Sequence, residues 1–107
     1  MYIKQLSVFV ENKKGRLAEI TEILARANVD IRALSIADTT DYGILRLIVD
    51  DAEKAEKALK AENITVSITK VIGVSVEDVP GAFSQALRCL EDGDVGIEYA
   101  YAFITSR

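Results

Sequence analysis

Slid along itself by 66 residues, this chain falls back into register without a gap, and that self-similarity limits its fold more than any other feature. Val8-Phe9-Val10-Glu11-Asn12 lands on Val74-Ser75-Val76-Glu77-Asp78. Gly15 lands on Gly81, Leu17 on Phe83, Leu24 on Leu90, Val29 on Val95 and Ile31 on Ile97. The shared signature is a polar residue, two spacers, a glycine, one spacer and an apolar residue. In both copies it stands between a strand-like and a helix-like run. Glycine is a poor helix former, so one at the mouth of a helix needs a reason. A turn with positive φ, close helix packing, or close approach to the backbone by another molecule would each supply one.

Hydrophobic periodicity gives the elements around these glycines. Ile3 to Val10 reads as a strand. From Gly15 to Ala27, Leu17, Ile20, Ile23, Leu24 and Ala27 recur every three or four residues, which predicts an amphipathic helix closed by Asn28. Val29 to Ala37 is a second strand whose apolar parity slips between Ile31 and Leu34, predicting a bulge or bend. Asp38 to Asp41 reads as a turn, and Tyr42 to Val49 as the hairpin partner of the second strand. Asp50 and Asp51 suit a helix N-terminus. Ala52, Ala55, Ala58 and Leu59 line one face of the helix that follows, with Glu53–Lys57 and Glu56–Lys60 as expected pairs on its exposed side. Asn63 stops it, and Ile64 to Val76 is strand-like throughout. The order β-α-β-β-α-β is the α+β ferredoxin-like sandwich, an antiparallel sheet with two helices on one face.

Residues 1–71 complete one such unit, and 72–107 supply the N-terminal β-α-β half of a second. Arg107 corresponds to Asp41, ahead of any counterpart of residues 42–72. Strands at 74–78 and 95–104 would then face a gap one strand wide. Either the chain is truncated or another chain's strand fills the gap; truncation is the preferred expectation.

Composition narrows the chemistry. The 107 residues contain no histidine and one cysteine, which removes Cys/His metal sites, Ser-His-Asp triads and Cys-His dyads. Cys89, flanked by Leu87 and Leu90 in a helical pattern, is expected to be a buried thiol. The net charge of −4 opposes a phosphate-binding surface, and Tyr42 to Leu47 offers one ring where an RNA platform needs several, so no nucleic-acid partner is expected. Asp38, Asp41, Asp50 and Asp51 are explained by turns and caps rather than hydrolysis. No apolar run reaches membrane-spanning length, and no secretory signal is seen, so no membrane partner is expected and the cytoplasm is the expected compartment. Nothing calls for a cofactor or a metal.

Asn12-x-x-Gly15-x-Leu17 and Asp78-x-Pro80-Gly81-x-Phe83, each between first strand and first helix in this element order, resemble the ACT domain, a small regulatory module that binds amino acids. With Val95 to Phe103 the whole chain is similar to the free-standing tandem ACT proteins, which have no catalytic domain. The resemblance implies a ligand at an interface between two ACT units. Main-chain groups of the strand–helix loop would meet its amino and carboxylate groups, and the neighbouring unit's second strand would complete the site. Carried onto this chain, the implied binding residues are Asn12, Gly15, Arg16 and Leu17 in the first copy and Asp78, Pro80, Gly81, Ala82 and Phe83 in the second. Lys13, Lys14 and Arg16 depart from Val79, Pro80 and Ala82; they would suit an acidic ligand or are simply solvated, the latter being preferred. Tyr99 and Tyr101 are core or interface by default, and pocket wall as the lesser alternative.

The expected function is therefore a non-catalytic, allosteric amino-acid sensor, working as a homodimer or higher homo-oligomer and acting on a regulated enzyme. The alternative is an interaction module that dimerises without binding a ligand. An aliphatic or aromatic amino acid is the mild preference, from Leu17, Phe83 and the tyrosines.

Overall fold

A computed structural model describes residues 1–11, 13–38, 41–93 and 101. Strand β1 (Tyr2–Glu11) lies at the centre of a four-stranded antiparallel sheet with β2 (Ile31–Asp38), β3 (Tyr42–Val49) and β4 (Val66–Ile72), in the order β2-β3-β1-β4. Pairing Leu6 with Leu47 and Val8 with Leu45 on one side, and Val8 with Val66 on the other, puts these side chains on a single face. Helices α1 (Arg16–Arg26) and α2 (Ala52–Ala61) cover that face with Ile20, Ile23 and Leu24, and with Ala55 and Leu59. Each fully buried leucine or isoleucine contributes about 1.5–3 kcal/mol of transfer free energy, so the sandwich needs no staple. A third helix, α3 (Ala82–Asp92), follows β4. The fold is the α+β ferredoxin-like sandwich expected from the element order.

Local signals account for the boundaries. Asn28 and Asn63 both take a left-handed conformation, with φ of 60° and 61°. After α1 the Asn28 amide donates to Ala25 O and Val29 N to Leu24 O; after α2 the Asn63 amide donates to Lys60 O and Ile64 N to Leu59 O. These are paired Schellman closures, and they turn Val29 and Ile64 into the core. The expected irregularity in β2 is a register shift between Ile31 and Ala33. Asp51 caps α2 by accepting from the Lys54 amide at 3.1 Å. Asp50, also expected at that cap, instead accepts from the Asp30 amide at 3.0 Å and ties the start of β2 to the end of β3; this bond holds its carboxyl below the usual range.

Three further expectations change. Glu56 pairs with Lys60 at 3.3 Å as expected, but Glu53 reaches across to Lys4 on β1 rather than along the helix to Lys57. The strand predicted to Val76 ends at Ile72, and no ladder involves residues 74–78 among the described residues. Cys89 is exposed rather than buried, because α3 buries none of its described side chains. The strand predicted at 95–104 lies outside the described residues except for Tyr101, and Thr39 and Thr40 of the predicted turn lie outside them too.

On the sheet face away from α1 and α2, Gln5 is fully buried. The Tyr101 hydroxyl donates to its Oε1 at 2.7 Å. Tyr101 is half-buried, and this bond sets it against the first unit's sheet. Tyr99 lies outside the described residues.

Candidate functional site

Both signature glycines are N-caps in left-handed geometry: Gly15 with φ 84° before α1 and Gly81 with φ 88° before α3. That φ alone disfavours any side chain, so backbone conformation explains the choice of residue. A second property is independent of it. A Cβ placed on either glycine would meet no atom within 4 Å, so both sites open onto free space.

The surrounding hydrogen bonds repeat in the same register. Arg16 N donates to Lys13 O and Ala82 N to Val79 O, both at 3.2 Å, while Glu19 N donates to Gly15 O and Gln85 N to Gly81 O, both at 3.0 Å. Neither helix has a side-chain cap among the described residues. The amides of Leu17 and Ala18, and of Phe83 and Ser84, therefore have no backbone acceptor among the described residues. Uncapped amides at a helix start, with the dipole's positive end, suit a carboxylate.

The first mouth is electrostatically closed on itself. Lys13 pairs with Glu11 at 2.9 Å, and Arg16 pairs with Glu19 at 3.1 Å and with Glu11 at 3.9 Å. The hydrogen bond and charge of Lys13, followed by the charge of Arg16, hold the Glu11 carboxyl below its usual range. Beside the mouth, on the helix-covered side of the sheet, is a hollow of about 140 Å³ lined by Val10, Glu11, Lys13, Leu17, Ile36, Gly43 and Leu45.

The second mouth opens on a wider groove of about 720 Å³, lined by residues that include Val76, Glu77, Val79, Pro80, Gly81 and Ala82. Val76, Glu77 and Val79 are the counterparts of Val10, Glu11 and Lys13, so the groove stands where the hollow stands in the first unit. Phe83 is half-exposed on α3 and Asp78 is exposed in a bend. Of the residues singled out from the sequence, Gly15, Arg16 and Leu17 gather at the first mouth and Pro80, Gly81 and Ala82 at the second; Asn12 lies outside the described residues. Sequence reasoning missed Val10, Ile36, Gly43 and Leu45. The signal was available for Gly43, a glycine inside a strand whose other inward positions are Leu45, Leu47 and Val49. No group of three acidic or thiol side chains able to hold a metal occurs among the described residues.

From Met1 to Arg107 the sequence matches the ACT domain pair family. The chain belongs to it. Among solved structures, protein BT0572 from Bacteroides thetaiotaomicron is 51% identical over 98% of this chain and 73% of that one, with a TM-score of 0.92. The ACT domain of prephenate dehydrogenase from Bacillus anthracis is 34% identical over 59% of this chain and 99% of its own, with a TM-score of 0.52. The regulatory subunit of aspartate kinase from Thermus thermophilus, in a ligand-free form, shares the fold at a TM-score of 0.65 and 15% identity, over 96% of this chain and 78% of that one. No curated protein matches the chain. ACT domains are generally regulatory, amino-acid-binding modules that often oligomerise and are not themselves catalytic. No helix of the described residues is long and apolar enough to cross a membrane.

Proposed function

We propose that this ACT protein is a non-catalytic sensor that binds an amino acid at the β1–α1 loop and at its counterpart before α3, across an interface between ACT units. The observation that carries the reading is the repetition of one geometry: two uncapped helix starts, 66 residues apart, each behind a left-handed glycine open to free space. The uncapped amides would take the effector's carboxylate. Asn12 and Asp78, placed by the sequence just before the glycines, would take its ammonium. Effector binding would favour one subunit arrangement over another, in a homodimer or larger assembly, and pass that bias to an enzyme in the cytoplasm.

Thermal unfolding of the 107-residue chain with each of the twenty amino acids at millimolar concentration tests this. An effector at 100 times its dissociation constant adds about 2.7 kcal/mol, a shift of several degrees. Gly15→Ala and Gly81→Ala put a methyl group where the protein itself leaves space, so both variants fold and lose part of the ligand-induced shift. A chain that no amino acid stabilises, yet which is a dimer without one, would instead be an interaction module. The half-exposed Phe83 and the unburied apolar side of α3 favour that second reading.

A further inference from the structure

Three side chains of the first unit are buried on the side of its sheet away from the helices. Leu6, Leu47 and Leu34 are in register on the helix side, so strand alternation makes Gln5, Ile48 and Ala33 the adjacent row and turns it the other way. All three are buried, yet none belongs to the core beneath α1 and α2. The same face is open at its far end, where Phe9 is half-exposed. The burial is therefore local, and it lies where the Tyr101 hydroxyl meets Gln5 Oε1 at 2.7 Å. We infer that Tyr101 and Gln5 form a latch: the part of the second unit that carries Tyr101 docks on this row as a detachable cover, and the bond between the two side chains fixes where it sits. The inference goes beyond the sensor reading and does not depend on it.

The chemistry of Gln5 singles it out. A buried amide costs free energy unless its atoms find partners. Gln5 Nε2 donates to Ser7 Oγ at 3.3 Å, on its own strand, while Oε1 accepts from a residue 96 positions away. A leucine in this place would accept any apolar cover. A glutamine accepts one that brings a donor to Oε1, and that selects a single seat. The same residue makes the cover removable. Once it lifts, the amide and the phenol return to water, and exchanging protein partners for water costs little net free energy. Ile48 and Ala33 add apolar contact, but Tyr101 itself is only half-buried, so the seat is shallow.

The path of the chain leads to the same face. After β4 the Gly73 amide donates to Met1 O at 2.8 Å, and a Cβ on Gly73 would collide with Ile3 Cδ1. Ile3 and Gln5 are two residues apart on β1 and face the same way. The connection between the units therefore passes against this side of β1, where a glycine fits without moving Ile3. Helix α3 buries none of its described side chains, so it offers no second seat among the described residues.

Thiol labelling of the full chain tests the latch. The probe is Ile48→Cys in a chain whose own exposed thiol is removed by Cys89→Ser. Should Ile48→Cys fail to fold, Ala33→Cys reports on the same row. The rate at which an aromatic disulfide reagent labels the probe in native buffer reads the opening of the cover. That rate is expected to be well below that of an exposed thiol and well above the rate of global unfolding, followed in urea on the same chain. Tyr101→Phe keeps the ring and removes the donor, and should speed labelling about tenfold or more. Adding Gln5→Leu removes the amide that needs that donor, and should return the rate to within about threefold of the probe chain. Phe9→Ser, at the open end of the face, should leave the rate unchanged. A rate that Tyr101→Phe does not alter, or that it raises equally with and without Gln5→Leu, overturns the latch. Labelling of the probe chain as fast as an exposed thiol, or only through global unfolding, overturns the detachable cover.

Discussion

Helices α1 and α3 are the same object in two surroundings. They span equivalent residues, begin behind a glycine at nearly the same φ and share the same opening hydrogen bonds. Yet α1 buries Ile20, Ile23 and Leu24, and α3 buries nothing. The local sequence is enough to start a helix and to shape its mouth; burial needs a sheet beneath it. The same difference separates their hollows. Beside α1 the lining includes Gly43 and Leu45 of β3, whereas the groove beside α3 is some fivefold larger by volume, about 720 against 140 Å³.

The largest effect expected from this contrast is in the core. Leu24→Ala removes a fully buried side chain from between α1 and the sheet and should cost about 2–5 kcal/mol. Leu90→Ala removes its half-buried counterpart on α3 and should cost less than about 1 kcal/mol. Urea unfolding of the two variants measures the difference. Equal losses would mean that α3 is packed as tightly as α1, and the contrast would fail.

The glycines give a smaller and more local comparison. Alanine at either position meets no neighbour but must hold a left-handed backbone, which costs roughly 1–2 kcal/mol. In Gly15→Ala the loss should appear in the global unfolding midpoint, because α1 is part of the core. In Gly81→Ala it should appear instead as faster amide exchange within α3, with little change in the midpoint. Exchange measured by mass spectrometry on both variants separates the two outcomes.

These contrasts also show which parts of the fold could be read from the sequence. The boundaries of β3, the face of α1, both asparagine closures and the slip in β2 are local matters of periodicity, turn chemistry and parity, and all were legible. The end of β4 at Ile72 was not, because residues 73–76 are as strand-like as those before them and only a pairing partner distinguishes them. The exposure of Cys89 failed for the same reason: an apolar helix face implies burial only when something lies against it. Asp50 bonding to Asp30 and Lys4 to Glu53 join residues 20 and 49 apart, beyond the reach of spacing rules. At the candidate site the glycine signature was visible and the hollow was not. Its walls come from β1, α1, β2 and β3 together, and only the hairpin register brings Gly43 beside Val10.

The smallest expected effect concerns how each helix is tied down. Glu53 of α2 reaches Lys4 of β1, whereas the ion pair of α3, Arg88–Glu91 at 3.1 Å, stays within its own helix. The hydrogen bond from Lys4 lowers the Glu53 carboxyl below its usual range, and the same bond, followed by the charge of Glu53, raises the Lys4 ammonium above its own. A lowered carboxyl contributes stability above its unfolded value and loses it as pH falls through the folded one. A raised ammonium contributes below its unfolded value and loses it as pH rises through the folded one. The pair therefore acts across neutral pH and fades below about pH 4 and above about pH 10.5. Both groups are exposed, so the gain is small and screened by salt. The midpoint difference between the parent and Glu53→Gln should be greatest near neutrality, vanish at both extremes and shrink in 1 M salt. Glu91→Gln should leave the global midpoint unchanged at every pH, because its pair joins α3 only to itself. A Glu91 effect as large as that of Glu53 would show α3 to be coupled to the sandwich after all.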